Sequence, residues 1–104
     1  NYAFFGAPVG LFFALDERMN PNQWAHLGMF MMALMLAAEA RGLATCPQEA
    51  WTMHRKTVEG ALDLQPPLQL YCGMALGYRD PDAPVNRLRS ERAPVSEFAV
   101  FKGF

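Results

Sequence analysis

The sequence predicts an α+β fold of three layers, in which buried strands form a sheet between helices. An unbroken apolar run at residues 7–15 and an alternating stretch at residues 68–78 are typical of core strands. A stretch at residues 27–38 that lacks any polar side chain is typical of a buried helix. Two buried strands separated by helices imply a sheet covered on both faces, yet two or three strands make a poor sheet by themselves. We therefore expect further strands, either upstream in a parent chain or on a partner.

The composition fits one folded domain, which we interpret as a single partial domain over residues 1–104. Of the 104 residues, 52% are hydrophobic and only 18% are charged, which argues against extensive disorder. The formal net charge of −1 supplies no basic field for nucleic acid or for an acidic membrane surface. We therefore expect neither a nucleic-acid partner nor a membrane partner.

The first strand is expected at residues 7–15, between Pro8 and the polar cluster at residues 16–18. A continuous apolar run of this length favours a strand that is buried on both faces. Gly10 is tolerated in such a strand where another part of the backbone approaches closely.

The first helix follows and is expected to be central, buried and about twenty residues long. Asn20 can cap it, Pro21 fits the first helical position, and Gln23 completes a capping-box pattern. Gly42 is typical of the residue that ends a helix. The apolar stretch at residues 27–38 falls short of the ~20 residues that span a bilayer, so a transmembrane helix is rejected.

A second, amphipathic helix is predicted from about Pro47 to Leu62, and Pro66 and Pro67 end the connection after it. The last strand is expected at residues 68–78, followed by an irregular excursion at residues 79–94. Alternation assigns the strand residues to two sides: Leu68, Leu70, Cys72, Met74 and Leu76 on one, and Gln69, Tyr71, Gly73 and Ala75 on the other. Residues 93–104 form an extended arm, with a strand-like end at Phe98–Phe104.

Two cysteines, Cys46 and Cys72, are interpreted as reduced thiols of an intracellular, cytoplasmic protein. Cys46 precedes a predicted helix start, where a helix dipole would lower its pKa, but no histidine stands at a diagnostic spacing to act as its base. The scattered Cys and His residues match no metal-ligand pattern. Neither a catalytic residue nor a metal site is therefore predicted.

Three other features each leave two interpretations open. The methionines of the first helix are either core filling or an adaptable surface for a ligand or partner. The arginines at positions 87, 89 and 92 suit a phosphate group or ion pairs with Glu91 and Asp82. Residues 42–51 are either a plain connection between helices or a helix N-terminus whose free N–H groups favour an electron-rich ligand.

Three sequence stretches in this order resemble the C-terminal half of the FMN-dependent nitroreductase family. "FFGAPVGLFF" is similar to the buried strand of that family, and "HLGMFMMALMLAAEARGLATCP" to its central helix. "CGMALGYRDPDAPVNRLRSERAPVSEF" is similar to its last core strand, Gly-Tyr turn and Arg-containing tail. The resemblance implies the three-layer α/β/α nitroreductase fold, here as a C-terminal fragment, and favours the branch that acts on nitroaromatics.

The resemblance also implies the residues of the cofactor site. Pro47, Gln48, Glu49 and Ala50 fall on positions whose backbone lies beside the flavin ring, with an N–H near flavin N5. Arg92 matches the phosphate-binding arginine of the family, with Arg89 as a second contributor and Arg87 as a weaker one. The N-terminal Arg-Ser-x-Arg stretch and the downstream Asn of the family have no counterpart in these 104 residues.

The implied activity is a ping-pong oxidoreductase that passes electrons from NAD(P)H through bound FMN to nitroaromatic, quinone or similar acceptors. The resemblance implies a homodimer with the flavin at the subunit interface and the C-terminal arm reaching across. The alternative is a non-catalytic module that binds a ligand or partner through its methionine-rich helix.

Overall fold

The computed structural model describes residues 2–103, which form a three-stranded sheet with helical segments on both faces. Strands β1, β2 and β3 span Val9–Asp16, Ala44–Gln48 and Leu68–Gly77. Helices α1, α2 and α3 span Pro21–Glu39, Arg55–Ala61 and Val95–Phe98. Short 3-10 helices cover Phe4–Gly6, Glu49–His54 and Pro84–Arg87.

The central strand of the sheet is β3, and both β1 and β2 pair with it in antiparallel orientation. The bounds predicted for the first and last strands agree with β1 and β3 to within two residues. Phe13 of β1 and Cys72 and Met74 of β3 are buried together with Met31 of α1. The hydrophobic core therefore lies between α1 and one face of the sheet.

Helix α1 begins and ends where the sequence predicts. The Asn20 Oδ1 accepts hydrogen bonds from the backbone N–H groups of Asn22 and Gln23, at 3.0 and 3.4 Å. At the other end Gly42 has a φ of +72°, and the N–H of Leu43 donates to the carbonyl oxygen of Ala38 at 3.0 Å. These contacts satisfy backbone groups that a helix end leaves without an internal partner.

The prediction that α1 is buried all round is wrong for the described chain. Met31 and Ala38 are buried, whereas the side chains of Met29 and Leu36 are 66% and 64% exposed. The sheet covers only one face of the helix. Among the described residues, nothing buries the apolar side chains on the opposite face. Among the helices of residues 2–103, none is long and apolar enough to cross a membrane.

The predicted second helix from Pro47 to Leu62 is also wrong in its first half. Residues Ala44–Gln48 form the edge strand β2, a 3-10 helix follows at Glu49–His54, and only Arg55–Ala61 is α-helical. Pro47 stands opposite Met74 of β3. An edge strand accepts proline because the missing N–H can face away from its neighbour. Gly42 therefore leads from a helix into a strand, so both interpretations of residues 42–51, a plain connection between helices and a helix N-terminus at Pro47, are wrong.

A β-bulge changes the alternation predicted for β3. Phe13 pairs with Cys72 and Ala14 pairs with Leu70, so Tyr71 is an extra residue between two paired positions. Its ring lies 5.5 Å from the ring of Trp24 in α1. The prediction that Tyr71 shares the side of Gly73 is therefore wrong, because the extra residue turns the Tyr71 side chain toward α1.

The other face of the sheet is covered by an aromatic cluster. Trp51 packs on β3 at Gly73, where a Cβ would lie 2.3 Å from the indole Cδ1. The Phe4 ring stacks on Trp51 at 4.8 Å, and the Phe12 ring meets Trp51 edge-on at 5.1 Å. The missing side chain of Gly73 is thus the reason that the indole can lie directly on the strand.

The tail after β3 contributes no strand to the sheet among residues 78–103. The irregular excursion predicted for residues 79–94 is confirmed apart from the short 3-10 helix at Pro84–Arg87. The strand-like end predicted at Phe98–Phe104 is wrong for the described residues, because Phe98 closes the one-turn helix α3 and residues 99–103 pair with no strand. Phe104 itself lies outside the described residues. The Phe98 side chain is 70% exposed.

Gly73→Val should destabilise the protein, because the new side chain would overlap the Trp51 indole. We expect the free energy of unfolding to fall by about 1–3 kcal/mol, the usual cost of overpacking a core. Chemical denaturation of the complete encoded protein measures this change. Gly60→Ala is the matched control, since a Cβ there meets nothing within 4 Å. Equal stabilities of the Gly73→Val variant and the native protein would contradict the packing described for Trp51.

Glu59→Ala should also destabilise the protein. The Glu59 Oε1 accepts a hydrogen bond from the N–H of Leu70 at 2.8 Å. Leu70 lies outside the part of β3 that pairs with β2, which ends at Gly73. Without that acceptor a partly buried N–H loses its partner, which costs about 1–3 kcal/mol. Glu59→Gln keeps an acceptor oxygen and should recover most of the loss in the same denaturation experiment. Equal losses in the two variants would show that the hydrogen bond is not the cause.

Candidate functional site

The site predicted at residues 47–50 lies at one edge of the sheet. Because β2 is the outer strand in the order β1-β3-β2, one row of its backbone N–H and C=O groups faces away from β3 among the described residues. Pro47 and Gln48 end the strand, while Glu49 and Ala50 open the 3-10 helix. The Gln48 side chain is buried, and those of Pro47 and Glu49 are exposed. The segment therefore presents its backbone together with the side chains of Pro47 and Glu49.

A cavity of about 470 Å³ lies beside this segment, between β2 and α1. We call it the Tyr71 pocket, and its walls include Met31, Met32, Met35, Pro47, Glu49 and Tyr71. The volume falls within the range of about 300–1,000 Å³ that is usual for small-molecule sites. Two of the four residues predicted from the sequence, Pro47 and Glu49, thus line a cavity of suitable size.

A second cavity of about 550 Å³ lies on the opposite face of the sheet, and we call it the Cys46 cavity. Its walls include Phe5 and Cys46 and, from the segment after β3, Tyr78, Arg79 and Asn86. Both cavities border β2, so the backbone of this strand separates them.

The hydrogen bonds described for Arg89 and Arg92, two of the arginines predicted to bind phosphate, stay within the tail after β3. The guanidinium of Arg89 donates to the carbonyl oxygens of Asn86 and Leu88, at 3.2 and 3.0 Å. The guanidinium of Arg92 donates to Ser90 Oγ at 2.6 Å and to the carbonyl oxygen of Glu91 at 2.9 Å. Asn86 links the two regions, because it lines the Cys46 cavity three residues before Arg89.

The arginine cluster had two interpretations, a phosphate site or ion pairs with Glu91 and Asp82, and the structure bears on the second. Within the described part of the chain, the ion pairs are Arg18 with Asp16 and Arg79 with Glu39. The guanidiniums at positions 87, 89 and 92 thus form no ion pair with Glu91 or Asp82 there. Exposed guanidiniums that bond only to nearby neutral groups keep their capacity to bind an anion.

The two thiols differ in their surroundings. Cys46 is exposed and its Sγ lies 3.8 Å from the carbonyl oxygen of Pro47, whereas Cys72 is buried. Burial raises the pKa of the Cys72 thiol. Cys46 belongs to strand β2, so the helix start predicted directly after it is wrong. Residues 2–103 gather no group of three or more His, Cys, Asp and Glu residues that could hold a metal ion.

Tyr71 is a member of the site that sequence analysis missed. A strict alternation places its side chain on the far side of the sheet, and a bulge leaves no reliable mark in a single sequence. The methionines of α1 are evident in the sequence, but their position beside residues 47–50 depends on the pairing of β2 with β3.

The most informative comparisons with known proteins are with enzymes that reduce nitroaromatic compounds. The chain is 42% identical over 104 residues to a 4-nitrobenzoate reductase of Pseudomonas putida, covering all of this chain and 46% of that protein. It is 37% identical over 100 residues to a chloronitrobenzene nitroreductase of Comamonas testosteroni, covering 96% and 44% of the two chains. The chain thus spans less than half the length of these curated relatives.

Solved structures give the same result for the fold. The crystal structure of the FMN- and NADPH-dependent nitroreductase NfnB from Sphigopyxis sp. strain HMH matches with a TM-score of 0.93 at 43% identity, over 99% of this chain and 46% of that one. NfnB from Mycobacterium smegmatis, solved in complex with NADPH, matches with a TM-score of 0.91 at 32% identity, over 96% and 45%. The predicted three-layer α+β fold is confirmed by these matches.

The family itself is identified by a match over most of the chain. The model of the nitroreductase family matches residues 1–78, which include all three strands and the helix α1. The exposed backbone edge at β2 and the cavity beside it belong to this matched region. The chain is therefore a member of the nitroreductase family.

Proposed function

We propose that this chain forms one wall of the flavin site in an FMN-dependent oxidoreductase of the nitroreductase type. The observation that carries the proposal is the position of residues 47–50 at the open edge of the sheet, beside the Tyr71 pocket. On this proposal the 104 residues are the C-terminal part of a longer enzyme, and the rest of the flavin site comes from elsewhere. The length covered in the relatives supports that division.

The residues present fit the ring system of FMN. A flavin ring is flat and carries donors and acceptors along its edge, so it needs a flat surface and a row of backbone groups. The outward edge of β2 offers such a row. Only exposed Pro47, exposed Glu49 and half-buried Ala50 stand where the ring would approach, and Gln48 points its side chain into the protein. Pro47 carries no N–H, so the donor would be the backbone N–H of Glu49 or Ala50, which beside the ring would stabilise its reduced form.

The tail after β3 would hold the phosphate group of FMN. Arg92 and Arg89 are the proposed ligands, and Arg87 is a weaker candidate. Each guanidinium can donate two parallel hydrogen bonds to a phosphate, and the described contacts of Arg89 and Arg92 are with neutral oxygens of neighbouring residues. An approach of the phosphate would exchange these local bonds for charge-assisted ones.

Bound FMN supplies the redox chemistry, taking two electrons from NAD(P)H and releasing them to an acceptor. Reduction of a nitro group to a nitroso group consumes two electrons and two protons and releases water. The chain itself binds the cofactor, orients the ring against β2 and limits the access of water through the apolar Tyr71 pocket. The proposed acceptors are nitroaromatic compounds, quinones and similar small electrophiles, and the printed names of the relatives support the nitroaromatic class.

The proposed enzyme is a homodimer. The outer face of α1 carries the exposed apolar side chains of Met29, Phe30, Met32 and Leu36. A soluble protein rarely leaves a continuous apolar face of this kind in water, so the face suits the interface with a second copy of the enzyme. The exposed apolar side chains of the tail, among them Phe98 and Val100, suit an arm that packs on that copy.

The proposed function predicts a bound flavin that NAD(P)H can reduce. The complete encoded protein, purified from an expression host, should be yellow and should lose its visible flavin absorbance when NADPH or NADH is added without oxygen. Addition of nitrobenzene should then restore the absorbance, because the acceptor removes the electrons. A colourless protein that takes up no added FMN would contradict the proposal and favour a non-catalytic binding module.

The proposed phosphate site predicts that Arg92 contributes to FMN binding. The variant Arg92→Ala should bind FMN more weakly by about 1.5–3 kcal/mol, the value of a lost charge-assisted hydrogen bond. Fluorescence titration of the apoprotein with FMN measures the affinity. Arg41→Ala is the matched control, because its guanidinium bonds to the carbonyl oxygen of Ala37 at the end of α1. Equal affinities in the native protein and Arg92→Ala would remove Arg92 from the cofactor site.

A further inference from the structure

The segment between Gln48 and Trp51 is anchored at both ends on one residue of the central strand. Gln48 stands opposite Gly73 in the antiparallel ladder of β2 and β3. The Trp51 indole packs on the same Gly73, in the space that a side chain would fill. The peptide that joins Glu49 to Ala50 lies between these two anchors, so the residues on both sides of it are fixed by β3.

A side chain holds the same peptide directly. The Thr52 Oγ1 donates a hydrogen bond to the carbonyl oxygen of Glu49 at 2.8 Å. The hydroxyl must be the donor, because a carbonyl oxygen can only accept, and the distance is the usual one for an O–H···O bond. Thr52 is itself held in place, since its own carbonyl oxygen accepts the N–H of Arg55 at the start of α2.

The hydroxyl of Thr52 acts on the N–H of Ala50 through the peptide bond. The carbonyl oxygen of Glu49 and the N–H of Ala50 belong to one planar peptide unit, so a bond that fixes the oxygen also fixes the direction of the N–H. Hydrogen bonds in a chain polarise one another, so the bond to the oxygen makes the N–H a stronger donor. Ala50 is one of the two residues whose N–H the proposed function places beside the flavin ring.

The next peptide along the chain offers a contrast. The phenol O–H of Tyr2 donates to the carbonyl oxygen of Ala50 at 3.3 Å. That oxygen shares its peptide unit with the N–H of Trp51, so this bond does not polarise the N–H of Ala50. Tyr2 therefore helps to hold the segment, whereas Thr52 acts on the donor itself.

We propose that Thr52 is a positioning residue of the flavin site, whose hydroxyl group orients the Ala50 N–H and strengthens it as a donor to the ring. Reduced flavin is richer in electrons than oxidised flavin, so a stronger donor beside the ring favours the reduced form. Thr52 therefore raises the midpoint potential of bound FMN. The inference rests on the proposed function, because it needs a flavin beside residues 47–50. It goes further by naming a residue outside that segment that sets a property of the cofactor.

The test measures the two-electron midpoint potential of FMN bound to the complete encoded protein, by equilibration with a reference dye. Thr52→Val removes the hydroxyl and keeps the shape of the side chain. It should lower the ratio of the affinities for reduced and oxidised FMN about threefold, the order expected when one bond of a hydrogen-bond chain is lost. For a two-electron couple this change is a fall of about 14 mV in the potential.

Thr52→Ser keeps the hydroxyl and should restore the native potential. Thr57→Val is the matched control, because it makes the same substitution at an exposed threonine of α2 and should leave the potential unchanged. Tyr2→Phe removes the hydroxyl from the neighbouring peptide and should shift the potential less than Thr52→Val does. A residue that only supports the fold would weaken the binding of both forms of FMN and would not move the potential.

An unchanged potential in Thr52→Val would overturn the inference, and so would an equal fall in Thr52→Ser, Thr57→Val or Tyr2→Phe. Thr52→Ala removes the same hydroxyl and keeps the test valid if the valine variant does not fold. Loss of FMN from both of these variants would also overturn the inference, because the hydroxyl would then be needed for binding in either redox state. A native protein that takes up no FMN would overturn the proposed function as well. A native flavoprotein whose potential does not depend on Thr52 would overturn the inference alone.

Discussion

The pairing of residues 44–48 with the last core strand is the constraint on which the rest of the structure depends. It makes β3 the centre of the sheet, with β1 on one side and β2 on the other. It also fixes where residues 47–50 lie, since Gln48 stands opposite Gly73 and Glu49 begins the next segment. Gly73 in turn receives the Trp51 indole on the far face. One stretch of antiparallel ladder thus sets the backbone edge, both cavities and the packing of the aromatic cluster.

Much of the fold follows from local sequence signals. The apolar run of β1, the Asn20-Pro21 start of α1 and the Gly42 end of α1 are each confirmed, because each depends on chain-local chemistry such as capping or the φ angle of glycine. The helix predicted for the start of residues 44–54 is wrong because there the local signals disagree with the tertiary structure. Proline next to Gln-Glu-Ala resembles a helix start locally, but the backbone groups of β3 offered a strand partner, and tertiary pairing overrode local preference.

The candidate site could be predicted only in part. Its backbone segment at residues 47–50 is predicted from the family resemblance, and the structure adds that Pro47 and Glu49 border a cavity. The Tyr71 wall could not be found, because the register shift that creates it depends on how β1 and β3 meet. The prediction that α1 is buried on all sides is wrong for the described residues. A helix that is apolar all round indicates burial, but the sequence does not show which residues cover each face.

The bulge at Tyr71 has a consequence for how the family could diversify. A residue paired in a central strand is constrained from both sides, since its replacement disturbs the neighbours that pack on it. Tyr71 is excluded from that pairing while its neighbours Leu70 and Cys72 keep the register. Substitution at this one position can therefore reshape the wall of the Tyr71 pocket while the pairing of the sheet stays as it is. The protein thus has a position where the shape of this cavity can change separately from the pairing of the sheet.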